Sequence, residues 1–488
     1  MGMLLWSTVS LVVFLRTLFF RRRRIDFCLR IGGSIRLDAS TVPLSIRRKV
    51  GEALNMGKRK WFVVLSMIAA LSAAGCSSEK SGSGKTAEFT VSTEPVTLKF
   101  YVNVTRLSEL EYQQIYIEPL KKKYPHITLQ KLEGDLGQLV AAGEIPDLIM
   151  SDNDWHMPLK QLDLPADLTE LVKKMKLDLS AFKPETIQAI HNLDPKGGLE
   201  GIPFDLNTGA LFYNKDLFDK FGVAYPKDDM LWNDILQLSK KLTRKEDGVQ
   251  YIGWDPRFPD HLFSPYSQPF VDPKTNKALV DTPNLRKVLD LFQQVYQQPG
   301  YVGAKNEYTY GPDGFTKTHI LAMQADWVGK LISDLLQAET TGVKMNWDMA
   351  SEPRFEDAVG KGRHALADML VITKPSKYKE QAMQVIQMMI SREQQIMLTR
   401  TGRLTALNDP EIISQFGANF PSLQGKNMKA VYKNPPVQTP SPHLADKEVQ
   451  TIIRAMRKEM AIGKKDVNTV LREGQEKADK KIAEMAAQ

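Results

Sequence analysis

The sequence predicts an α/β fold with a parallel sheet and helices on its faces. Three observations carry this. Strand, helix, strand, helix and strand signals follow one another between Val96 and Ser151. Further strand–helix pairs recur at Ala210–Phe221 and Leu321–Gln337. The length of 488 residues is enough for more than one large domain.

The elements follow in order. Val96–Val102 is a near-continuous apolar strand. A helix covers about Glu109–Lys123, with Leu110, Tyr116 and Leu120 among its apolar positions. Residues 124–132 give a second strand, entered through Pro125. Leu136–Ala142 is a short helix, and residues 146–151 form a third strand. Turns and a short helix fill Asp163–Lys176, and Ser180 caps a helix running to Ile190. Gly197, Gly198 and Gly201 then punctuate a loop. Ala210–Tyr213 is a strand, Lys215–Phe221 a helix, and Met230–Leu242 a longer helix with Trp232, Ile235 and Leu238 at helical spacing. Residues 253–263 read as a loop. Pro283–Tyr296 puts Leu285, Val288, Leu289 and Phe292 on one helical face. Leu321–Gln324 is a short strand and Lys330–Gln337 a helix. The last third is helical, at Tyr378–Ile390, Glu393–Leu398, Glu448–Ala461 and Val467–Met485. No tandem repeat is visible.

The run MGKRKWFVVLSMIAALSAAGC begins at Met56 and ends at Cys76. Lys58, Arg59 and Lys60 form a positive front, Trp61–Leu71 is mostly apolar, and small residues lead into the cysteine. This is an export signal, and it looks like a bacterial lipoprotein signal in which the cysteine takes lipid and becomes the mature N-terminus. A plain signal peptide cleaved nearby is the alternative. Lipid tails anchor strongly, since each buried CH₂ contributes ~0.8 kcal/mol. Residues 77–92 are rich in Ser, Gly, Lys and Thr and read as a flexible tether. Upstream, residues 3–15 are apolar but too short for a membrane span. Either translation starts at Met56 and residues 1–55 are a spurious extension, or they are an anchor with a basic loop.

The formal net charge of +8 is not uniform. Residues 1–55 hold +7 and residues 56–75 hold +3, which leaves −2 from Cys76 onward. A near-neutral body gives no electrostatic case for nucleic acid. The two cysteines are Cys28 and Cys76, so cleavage leaves no disulfide within the body. The seven histidines are scattered, and no HExxH, GxSxG or GxxxxGK[ST] run occurs. No cofactor is expected. A glycosidase needs only two carboxylates at a set separation, so that reading stays open beside a surface-adhesion one.

Five segments resemble a known family. They are the signal ending at Cys76, IPDLIMSDND at 145–154, GIPFDLNTGALFYNKDLFDKFGVAYP at 201–226, FTKTHILAMQADWVGKL at 315–331, and the stretch from Leu370 to Leu404. Together they resemble the extracellular solute-binding lipoproteins of ABC importers, in the maltose-binding-protein-like carbohydrate class. Arg403 stands where that family usually shows proline, and Asp326 where it commonly has glycine. The resemblance implies a hinged, two-lobed periplasmic-binding-protein-like fold (type II), with the ligand cleft between the lobes. Lobe one would be residues 93–202 plus 364–404, and lobe two 203–363 plus 405–488. It also implies a monomer that is no enzyme, held at the cell membrane and serving ABC permease subunits.

A sugar has apolar ring faces and hydroxyl edges, so it asks for flat aromatics beside paired polar groups. Trp327 with Asp326 follows a strand in the ligand-facing segment of the resemblance. Asp152 and Asp154 follow the strand at 146–151, where α/β folds bind ligands. Asp205 and Asn207 lie at the implied lobe crossing. Trp254 and Arg257 combine a stacking surface with a forked donor, and Asn103 ends the first strand. Trp232, at helical spacing with Ile235, reads as core. Peptides and other solutes remain alternative ligands.

Overall fold

The computed structural model describes residues 90–103, 109–194 and 196–487. Cys76, the signal and the tether up to residue 89 lie outside the described residues. Among the described residues, eleven strands occur in chain order: β1 Val96–Val102, β2 Ile127–Leu132, β3 Leu148–Asp152, β4 Ile202–Asn207, β5 Gly209–Asn214, β6 Arg244–Glu246, β7 Val249–Asp255, β8 Leu321–Trp327, β9 Trp347–Ser351, β10 Leu366–Ile372 and β11 Leu404–Thr405.

They form two sheets. The first is six-stranded, in the order β11-β4-β10-β3-β1-β2, and the second five-stranded, β6-β7-β8-β5-β9. In the first, β1 runs parallel to β2 and β3, while β10 returns antiparallel between β3 and β4. In the second, β7 is parallel to β8, and β5 is antiparallel to β8 and β9. Both sheets are therefore mixed, where the sequence suggested a parallel one.

Each sheet has its own core. Leu98, Phe100, Ile149, Val371 and Ile386 belong to the first, and Leu211, Trp232, Trp254, Phe292 and Met323 to the second. β3, β5 and β10 are buried along their whole length, as strands covered on both faces are. Helix Pro283–Tyr296 has the predicted bounds, with Pro283 in its first turn and the Thr282 hydroxyl accepting from Leu285 N. Gly253 in β7 permits the close approach of helix Trp232–Leu242. A Cβ there would lie 2.3 Å from Ser239 O.

The chain crosses between sheets at Thr208, again between Ser351 and Leu366, and a third time beyond Thr405. Pro203–Asn207 and Thr405 thus belong to the first sheet, beyond the expected boundaries at 202/203 and 404/405. Lys183 N and Asn408 N extend this side, bonding Ala406 O and Ala181 O at 2.9 Å each. Two elements also differ from expectation. Ser180 caps no helix. It sits in a 3₁₀ turn whose cap is Asp178, and the helix starts at Pro184, which fixes its first turn. The expected loop at 253–255 is the end of β7.

Candidate functional site

A cleft of about 520 Å³ lies between the two sheets. The first lobe supplies Asn103 and Asp152–Trp155, and the second supplies Arg257, Phe258, Asp260, His261, Asp326 and Trp327, with Asp446, Lys447 and Arg454 from a C-terminal helix. Such a volume suits a small ligand.

On the first-lobe side, β3 ends in a single 3₁₀ turn, Asn153–Trp155. The Asp152 carboxylate accepts Trp155 N at 2.9 Å and so fixes the turn. Asn153 is buried and reaches across to β10: it donates to Ala365 O at 3.2 Å and accepts from Ala367 N at 2.7 Å. This leaves Trp155 40% exposed at the cleft.

On the second-lobe side, Arg257 pairs with Asp326, whose other oxygen accepts Trp327 N at 2.8 Å. The Trp327 ring is backed by the Arg363 guanidinium at 4.8 Å and by the rings of His261 and His364 at 5.6 and 5.9 Å. Arg363 is fully buried and bonds Glu352 through Nε at 2.5 Å. It also donates to His261 Nδ1 at 3.0 Å. Burial and three surrounding guanidiniums hold the His261 pKa well below its ordinary value, so the ring is neutral and accepts. A Cβ at position 209 would strike the Glu352 carboxylate at 2.2 Å, so glycine is required at Gly209. The guanidiniums of Arg257, Arg454 and Arg457 surround the Phe258 ring at 4.2–4.9 Å. Arg454 is neutralised by Asp260 at 2.5–2.9 Å.

His364 joins the two sides. Its Nε2 lies 3.1 Å from Asp154 and its Nδ1 2.6 Å from Ser264 Oγ. Burial opposes its charge, but the Asp154 carboxylate prevails and raises its pKa. Ser, His and Asp stand here in the order of a hydrolytic triad. Ser264, however, is only 7% exposed and its Oγ already accepts His364 N at 2.9 Å, which makes it a brace. Among the described residues, no group of three or more His, Cys, Asp or Glu could hold a metal.

Six predicted site residues therefore meet in the cleft: Asn103, Asp152, Asp154, Arg257, Asp326 and Trp327. Three do not. Trp254 is fully buried and stacked on Trp232 at 5.1 Å, because its strand faces the core. Asp205 is buried against Arg403 at 2.8 Å, in the first lobe. Asn207 accepts from Thr208 N and Gly329 N at 3.1 and 3.0 Å and serves the crossing itself. The sequence reading missed Trp155, Phe258, Asp446, Lys447 and Arg454. The last three come from the far end of the chain, and an amphipathic helix there carries no local mark of a site.

The bacterial extracellular solute-binding protein family matches residues 108–396. The chain belongs to that family. Among relatives in this class, the arabinooligosaccharide-binding protein of Bacillus subtilis (strain 168) is 33% identical over 199 residues. That match spans 38% of this chain and 41% of the relative's length. An ABC substrate-binding protein of Listeria monocytogenes, solved in complex with cycloalternan, superposes with a TM-score of 0.65 at 19% identity. It covers 80% of this chain and 100% of its own. The sugar-binding protein MalE of Xanthomonas citri gives 0.61 at 20% identity, over 80% and 98%. The fold is thus the two-lobed α/β fold of these solute-binding proteins, with the cleft between the lobes.

Proposed function

We propose that this chain is the substrate-binding component of an ABC importer and captures a sugar or oligosaccharide for a membrane permease. The observation that carries the reading is the pair of tryptophans, Trp155 and Trp327, on opposite lobes of one cleft, beside Asp152, Asp154, Arg257 and Asp326. Flat faces take the sugar ring, and carboxylates and guanidiniums take the hydroxyl edges with charge-assisted hydrogen bonds. Of the cations lining the cleft, Arg257 and Arg454 are each paired with a carboxylate, which leaves these two little charge to offer an anionic ligand. The arabinooligosaccharide-binding relative and the sugar-binding MalE neighbour support the same class.

Capture closes the lobes on the ligand, and the closed form is presented to the permease. The sequence holds no nucleotide loop, so ATP hydrolysis belongs to a separate subunit. Cys76 carries the lipid, residues 76–92 are the tether, and the monomer works on the extracytoplasmic face without cofactor, catalysis or nucleic acid. Among the described residues, no helix is long and apolar enough to cross a membrane.

The test is a thermal-shift and tryptophan-fluorescence screen against arabinotriose, maltotriose and mannotriose, with the sugar analysed afterwards. A bound sugar raises the melting temperature and returns intact. Turnover would move the assignment to a glycoside-processing enzyme. Silence across the panel, with a response to a peptide, would move it to another solute. Labelled palmitate incorporated by the wild type and not by Cys76→Ser tests the anchor.

A further inference from the structure

Lys447 belongs to the helix Asp446–Ala461 of the second lobe. Its ammonium lies 3.5 Å from the centroid of the Trp155 ring, which belongs to the first lobe. The contact therefore spans the cleft. It also covers a face of the aromatic surface that the first lobe offers to a ligand.

Helix stability does not explain this lysine. It sits in the first turn, where the backbone dipole disfavours positive charge. Among the described residues its hydrogen-bond partner is Gln450 Oε1 at 3.4 Å, a weak contact. Burial and then Arg454 lower its pKa, against the opposing pull of Asp154, Asp152 and Asp260. The Trp155 ring is thus the surface on which this ammonium rests across the cleft.

Resting on the saccharide reading, we propose that Lys447 is an internal competitor for one face of Trp155: a ligand stacks on the face that the ammonium covers only by displacing it. One ring face holds one occupant. A neutral sugar must break the cation–π contact before it gains its own stacking contact, so Lys447 weakens binding of neutral sugars. A cation over an indole is worth enough to shift affinity by about fivefold.

The test is a double-mutant cycle read with arabinotriose and maltotriose. Lys447→Met keeps the stem and removes the charge. The expected result is binding about fivefold tighter than wild type. In the Trp155→Ala background the same substitution is expected to change nothing. Weaker binding by Lys447→Met would overturn the proposal, because the ammonium would then be a direct ligand contact. Equal tightening with and without Trp155 would overturn it too. A ligand-free readout stands apart from the sugar: Lys447→Met is expected to change the tryptophan emission, and Trp155→Phe to abolish that change. An unchanged emission overturns the contact itself. If the emission changes and no sugar binds the wild type, the saccharide reading fails and the contact stands.

Discussion

The two walls of the cleft are held in different ways. Behind Trp327 stands a layer of buried charge: Arg363 against the ring, Glu352 against Arg363, and neutral His261 completing the set. Behind Trp155 there is one 3₁₀ turn, pinned by Asp152 and by Asn153. The second-lobe wall cannot adjust without breaking a buried ion pair, which costs several kcal/mol. The first-lobe wall is fixed at its root only, and one face of its ring carries the Lys447 ammonium of the other lobe. One wall is built before the ligand arrives, and the other can change what covers it.

Arg363→Ala strikes the stiffer wall and has the largest expected effect. It leaves Glu352 buried and unpaired, and we expect a loss of about 3–5 kcal/mol in denaturant unfolding. Replacing both partners by Met should restore most of that loss. If the single variant is as stable as wild type, the buried layer is not what holds this wall. Asn153→Ala strikes the other root. It frees the backbone groups of Ala365 and Ala367 beneath the turn, at a cost of about 2 kcal/mol. A loss equal to that of Arg363→Ala would erase the contrast between the walls.

Trp327→Ala should weaken sugar binding by about tenfold while leaving unfolding cooperative, as measured by titration calorimetry. The same affinity as wild type would remove Trp327 from the site. A further prediction is a dependence on pH. Burial pushes the Asp446 carboxyl up to about 7, aided by Asp154 and opposed by the hydrogen bond from His443 N. Its folded pKa lies above the unfolded value, so its contribution is fully present below about pH 4 and is lost as pH rises towards 7. Asp446→Asn should therefore match wild type near pH 4 and be the more stable chain at pH 8. The opposite order in a melt at those two pH values would refute this assignment.

Much of the fold was legible, for reasons visible in particular residues. Val96–Val102 is apolar at five of its seven positions, and Pro283–Tyr296 shows a cap, a proline and a periodic face together. Trp232 was recognisable as core because helical spacing ties it to Ile235. Its stacking partner Trp254 was not, because Asp255, Pro256 and Arg257 make the string look like a loop while the strand runs through Asp255. For the site, the ends of β3 and β8 could be found from their polar and aromatic residues. Asp446, Lys447 and Arg454 could not, because only the third crossing brings their helix to the cleft.

The first crossing has a mechanical consequence. Thr208 O accepts Val328 N at 2.9 Å, and the Asn207 side chain accepts Gly329 N. The backbone that passes between the lobes is thus bolted to the helix beginning just after Trp327. An object fixed beside an axle turns through the full angle of a swing yet travels a short arc. A ligand end resting on this indole would be twisted by the jaws more than it would be carried, whereas groups far from the axle would sweep across the gap.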